Sequence, residues 1–192
     1  HRLNGIHSGT GILLTLNDHD KDNKRILSKK SSERYSFKKS VTSNQSYPSS
    51  IMGSIALIRQ LHHDTNWYKQ GNSSNIDLSI EAIIENKELP KIFDAGGDKL
   101  NTIRAIKLIN EIGGDFAVLG SGKEYENLKE LNHQNIKLII PLDFPKPLNV
   151  SDPLLTKQIP LSSMRYWSQA PSNAAKLANL NIPFVFSSTN IK

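Results

Sequence analysis

The chain has 192 residues, with 24 Lys and Arg against 18 Asp and Glu, a formal charge of +6 and no cysteine. Disulfides and thiolate metal sites are therefore excluded, while the redox compartment stays open. No apolar run approaches the ~20 residues of a membrane span, and no basic run alternates with aromatics as a nucleic-acid groove would, so the charge reads as a lysine-rich surface with neither a membrane nor a nucleic-acid partner.

The length suffices for one domain with its own core. The chain opens at His1 without an initiator Met and closes at Lys192 just after a strand-like run, and it reads as an excised piece of a longer protein. In such a piece the lack of a signal peptide carries no information.

Residues 1–45 differ in character from the rest. GTGILLTL reads as a strand entered through glycines, Asn17 to Lys24 as a polar turn, and RILS and RYSF as returning strands of a hairpin or meander that projects from the main body. Gly11 to Leu16 is expected to pair antiparallel with a strand between Arg25 and Phe37. After a Ser/Thr/Asn linker, a long helix is expected to Tyr68, with Pro48 in its first turn, Ser46 or Tyr47 near the cap, and Ile51, Ile55, Ile58 and Leu61 on one face. A second helix spans Asp77 to Asn86.

Lys91 to Pro141 organises the chain. KIFDA, DFAVLG and IKLIIP are three short runs, apolar throughout rather than alternating. Between them lie a helix capped by Asp98 and ended by Gly113-Gly114, and a helical pattern from Lys123 to His133 with Tyr125, Leu128 and Leu131 on one face. Such runs point to a parallel sheet covered by helices. Asp143 to Ile159 holds several prolines and reads as a long ordered loop. A short helix from Leu161 to Gln169 follows, then one opening at Ala170, then a fourth buried run, NIPFVFSS. Right-handed crossovers make the four runs parallel.

The buried strands, their glycine-rich turns, "NIPFVFSST" after "APSNAAKLANL", and "HRLNGIHSGTGILLTL" with "YPSSIMGSIALIRQLHHDTNWY" resemble the metal-dependent amidohydrolases, most of all the imidazolonepropionase-related group. The resemblance implies an α/β fold, a partial (β/α)8 barrel of the TIM type with parallel strands and outer helices, preceded by the hairpin. Residues 46–192 would supply the βα units of the barrel's later half. It implies hydrolysis of C–N bonds other than peptide bonds by one or two divalent metals, Zn²⁺ foremost, that activate a water. It also implies relatives that are often exported.

The family draws its metal ligands from a His-x-His pair on the first strand, histidines ending the fifth and sixth, and an Asp ending the eighth. Here the corresponding positions hold Asp94-Ala95, Gly120-Ser121, and Ser188, Thr189 and Asn190. The six histidines, at 1, 7, 19, 62, 63 and 133, end no buried strand. The piece is thus expected to bind no metal or other cofactor itself, and no catalytic residue is assigned. Two readings follow: part of an amidohydrolase whose ligands lie elsewhere, or a degenerate barrel acting as scaffold or binding domain. Its partner would be the remaining barrel or a second amidohydrolase domain, with homo-oligomerisation left open.

Ligands in parallel sheets bind at the carboxyl ends of strands. The candidate pocket is accordingly Asp94, Gly96, Gly97, Gly120, Ser121, Lys123, Asp143, Ser188 and Asn190. Asp94 heads this set; the plainer reading makes it a helix cap or the partner of a buried cation. Gly120-Ser121-Gly122-Lys123 faintly resembles a phosphate cradle but lacks P-loop spacing, and a plain tight turn explains it. His62 and His63 point about 100° apart on a helix and do not share a metal easily. His7 and His19 stand in loops without ligand partners, and His133 suits a helix end. Trp67, Tyr68, Tyr166 and Trp167 read as packing, and Asp152 as a solvated loop carboxylate.

Overall fold

The computed structural model describes residues 5–15, 25–71, 73–132 and 134–188. It is a mixed α/β structure with a mostly parallel six-stranded sheet. Its strands are β1 (His7–Thr10), β4 (Glu33–Ser36), β5 (Lys91–Asp94), β6 (Phe116–Leu119), β7 (Lys137–Pro141) and β8 (Phe184–Ser187), ordered β1-β4-β5-β6-β7-β8. A separate two-stranded ribbon joins β2 (Leu13–Leu14) to β3 (Ile26–Ser28). Contacts divide the chain into two compact units, His1–Asp94 with Lys107–Ala117, and Ala95–Ile106 with Val118–Lys192.

All four apolar runs form strands, as parallel strands under helices tolerate apolar residues at every position, but the fourth is not buried as expected: β8 ends the sheet, and its Val185 and Phe186 are exposed. The expected ribbon also forms, β2 and β3 pairing antiparallel with Leu13 opposite Ser28. β4 behaves differently. It pairs parallel with β5, Tyr35 beside Phe93 and Ser36 beside Asp94, and antiparallel with β1. The expected projecting meander therefore stops at β3, and no break in the sheet follows β4. The reason is burial: Glu33, Tyr35, Ser36 and Phe37 are all buried.

In the first unit, α1 (Ile51–Lys69) and α2 (Leu78–Glu85) follow β4. The cap of α1 is Ser50, whose hydroxyl accepts from the Gly53 amide at 3.2 Å, rather than Ser46 or Tyr47. Tyr47 and Pro48 are displaced from the helix because they pack across its first turn. Tyr47 donates to the Gly53 carbonyl at 2.9 Å, and a Cβ on Gly53 would meet Pro48 Cβ at 2.9 Å. Asp77 caps α2 through the Ser79 and Ile80 amides. The core is aromatic: Phe37 lies edge-on to Phe93 at 4.8 Å, and Tyr35 lies 5.6 Å from Phe116. Such pairs add about 0.5–1.5 kcal/mol each beyond burial.

α3 (Lys99–Ile112) starts on Asp98, whose carboxylate accepts from Leu100 and Asn101 amides at 2.8 and 3.0 Å. Its inner face buries Ala105, Ile106, Leu108 and Ile109. In the second unit the expected 123–133 helix is broken into a 3-10 turn, Glu124–Glu126, and α4 (Leu128–Asn132). The proline-rich loop contains α5 (Pro153–Lys157), with Pro153 in its first turn and Asp152 capping it through the Leu154 amide at 2.7 Å, so Asp152 is not merely solvated. α6 (Leu161–Gln169), a 3-10 turn at Ala170–Ser172 and α7 (Asn173–Asn179) lead to β8, which pairs parallel with β7. Leu138, Ile140, Leu177 and Ile182 fill this unit's core.

Candidate functional site

The best-defined polar constellation lies in the second unit, where β6 ends. The chain leaves Leu119 through Gly120, Ser121 and Gly122, the last at φ +77°, and turns at once into the 3-10 segment. Glu124 is only 2% exposed. One oxygen of its carboxylate accepts from the Ser121 amide at 2.5 Å, the Gly122 amide at 3.0 Å and the Ser121 hydroxyl at 3.2 Å. The other accepts from Asn173 Nδ2 at 2.6 Å. Asn173, itself buried, takes the Tyr125 amide on its own oxygen at 2.8 Å. The Lys123 amide donates to the Ser121 hydroxyl at 3.1 Å. A buried carboxylate needs such a set of donors.

The Gly120–Lys123 turn is thus filled from within, since its Ser121 and Gly122 amides hold a carboxylate of the same chain. Gly120 has a packing reason. A Cβ there would run into Glu124 Oε1, so only glycine leaves room for the carboxylate.

Beside this loop lies a cavity of about 120 Å³, lined among others by Gly122, Pro141, Asp143, Tyr166, Asn173 and Phe186. That is room for about four waters, below the ~300 Å³ of a pocket for a drug-sized ligand. Lys123 Nζ sits 4.5 Å from the Tyr166 ring centre. The Tyr166 hydroxyl donates to the Asp143 carbonyl at 3.4 Å, and burial first, then Asp143 and Glu124, raise its pKa. Burial, followed by Glu126, pushes the Tyr125 phenol up to about 12. These hydroxyls stay protonated near neutrality and act as donors.

Of the predicted pocket residues, Gly120, Ser121, Lys123 and Asp143 belong to this neighbourhood. Gly96 and Gly97, at φ +75° and +72°, form the turn before α3. Ser188 is exposed just past β8, and Asn190 lies outside the described residues, as do His1, His19 and His133. Asp94 ends β5 in the first unit, half-buried, and acts electrostatically on Arg34, whose pKa burial lowers while Asp94 opposes that shift.

His7 is not in a loop. It opens β1 opposite Tyr35, with Nε2 3.6 Å from the buried Glu33 carboxylate. The sequence offers no signal for that approach. Trp67 and Trp167 are exposed rather than packed, whereas Tyr68 donates to Glu81 at 3.1 Å. Glu124 and Asn173 were missed as site residues. The only local hint is a Glu closely following a Ser-Gly turn, where free amides favour an acceptor.

Among the described residues, no group of three or more His, Asp or Glu is placed to hold a metal ion. Glu124, the carboxylate nearest the end of β6, already accepts four donors. A catalytic zinc takes three protein ligands, and the described residues offer no such set.

The crystal structure of an amidohydrolase from Thermotoga maritima MSB8 matches 87% of this chain with a TM-score of 0.58 and 16% identity. This chain spans 44% of that protein's. At that identity the likeness shows the fold, which is amidohydrolase-like. No family model matches the chain, and no curated protein matches it.

Proposed function

We propose that the chain forms the later half of a (β/α)8 barrel in an imidazolonepropionase-related amidohydrolase, a hydrolase of C–N bonds other than peptide bonds, and that it supplies no metal ligand. The fold likeness supports the first part. The Glu124 constellation carries the second: where the family ends its sixth strand in a metal-binding His, Ser121 directs its amide and hydroxyl to Glu124. In this portion Glu124 and Asn173 fix the strand-end loop, while Lys123 and Tyr166 line its outer side. Any water-activating metal is held by residues of the remaining barrel or of a second amidohydrolase domain.

The internal carboxylate favours a second reading for the chain itself, a non-catalytic barrel copy that scaffolds an active partner domain. Elemental analysis of the purified protein after zinc supplementation tests the shared premise. Zinc far below one ion per chain is expected, and near-stoichiometric zinc lost on Asp94→Ala overturns it. Between the two readings, the discriminating measurement is hydrolysis of cyclic and acyclic amides by the parent chain with and without zinc. Activity abolished by Glu124→Ala in a variant that still folds favours the first, and activity indifferent to this portion favours the second.

A further inference from the structure

The first unit carries a second, larger cavity of about 460 Å³ at the amino ends of β5 and β6, within the ~300–1,000 Å³ range of small-molecule sites. Its apolar wall is Tyr35, Phe116, Ile58, Leu61, Ile83 and Ile112. Tyr35, Phe116 and Ile58 are themselves buried. The Tyr35 hydroxyl is turned to Glu33 at 3.3 Å, which leaves the ring as contact surface. Gly114, at φ +111°, leaves bare backbone beside the Phe116 ring, which a Cβ would approach to 3.2 Å.

The polar side of the cavity is mainly cationic. Lys69, Lys87 and Lys91 line it against Glu88 and Asp115, and Lys87 and Glu88 lie 3.9 Å apart on an exposed rim. Lys91 is different. Its ammonium donates to the carbonyls of Lys87 at 2.7 Å and Leu89 at 3.1 Å. Two neutral acceptors fix its position and leave one of three N–H donors. Asn66 Nδ2 lies 3.0 Å from His62 Nε2 on the same wall, and burial together with His63 and Lys69 disfavours a charge on His62. The site thus pairs an apolar, partly aromatic wall with an anchored ammonium.

We propose that this cavity binds a small amphipathic carboxylate, an aryl- or alkyl-alkanoate whose apolar body lies on Tyr35, Phe116 and Ile58 and whose carboxylate pairs with Lys91. The site is independent of the hydrolase reading and uses none of the residues at the end of β6. A charge-assisted hydrogen bond is about twice as strong as a neutral one, so the carboxylate end decides affinity.

The test is calorimetric titration with 4-phenylbutyrate and its neutral counterpart 4-phenylbutanol. One saturable site for the acid is expected, with the alcohol about tenfold weaker. Lys91→Gln keeps a donor for the carbonyls but removes the charge, and should weaken the acid about tenfold while leaving the alcohol unchanged. Ile83→Trp fills the apolar wall and should abolish both; if that variant does not fold, Lys91→Gln decides alone. No saturable binding of the acid to the wild type, equal binding of acid and alcohol, or an unchanged Lys91→Gln variant overturns the proposal.

Discussion

Replacing Glu124 by Ala tests whether the loop at the end of β6 is held by its own carboxylate. The substitution strands the Ser121 and Gly122 amides and Asn173 Nδ2, while the Ser121 hydroxyl can rotate towards another acceptor. Each buried donor left unpaired costs about 1–3 kcal/mol. Water entering the vacated space offsets part of this, so a loss of about 3–5 kcal/mol is expected, a large share of the ~5–15 kcal/mol that holds a domain together. Glu124→Gln keeps an oxygen for the two backbone amides but sets its NH₂ against that of Asn173. Asn173 cannot flip to accommodate it, because its oxygen already takes the Tyr125 amide. A smaller loss of about 1–3 kcal/mol follows. Since the two side chains share one network, Glu124→Ala and Asn173→Ala should combine less than additively, by about 0.5–3 kcal/mol. Urea unfolding monitored by circular dichroism measures the parent and the four variants, with the midpoint shifting at constant m. A Glu124→Ala variant within about 0.5 kcal/mol of the parent, or strict additivity, would refute the reasoning.

Gly120→Ala should destabilise by about 1–3 kcal/mol, because its methyl meets the Glu124 carboxylate; combined with Glu124→Ala, the added methyl should cost little, which the same urea series detects. Leu177, fully buried in the second unit, should cost about 2–5 kcal/mol on truncation to Ala. The Lys99 ammonium, hydrogen-bonded to Glu126, holds that carboxyl below its ordinary value of 4.5. A depressed folded-state pKa contributes stability that is complete above the unfolded value and is lost as pH falls through the folded one. Melting temperatures from pH 6 down to pH 3 should therefore drop less steeply for Lys99→Met than for the parent; equal slopes would count against the pair.

The parallel strands were legible because KIFD, FAVL, KLIIP and FVFS are apolar runs closed by Gly, Pro or Ser, the pattern of parallel strands; the pattern located FVFS but misjudged its burial, since Val185 and Phe186 are exposed. The 123–133 segment misled for the opposite reason. Its periodicity is helical, but Glu124 turns back to the amides before it and tightens the first turn into 3-10 form. Asn173 is bonded to Glu124 49 positions earlier, and no local pattern encodes such a partner. RYSF alternates like a ribbon strand, so nothing local distinguishes pairing with β3 from pairing with β5; tertiary burial of Tyr35 and Phe37 decided it. Asp94 was found as a strand-end carboxylate, while Arg34, the cation it acts on, lies far back in the sequence.

The insertion of β4 beside β5 shapes how the chain reaches this structure. Tyr35 must find Phe93, and Leu138 must find Phe184, each across an intervening stretch that carries helices. Closing a loop costs only about 0.6 kcal/mol more per doubling of its length, but that cost precedes any reward from the pairing. Topologies rich in such distant pairings fold slowly. The helices and the β2–β3 ribbon, which rely on near neighbours, are placed to form early, and the joining of β4 to β5 to come late. In a stopped-flow experiment, a Tyr35→Leu change would then quicken unfolding while barely altering the refolding rate.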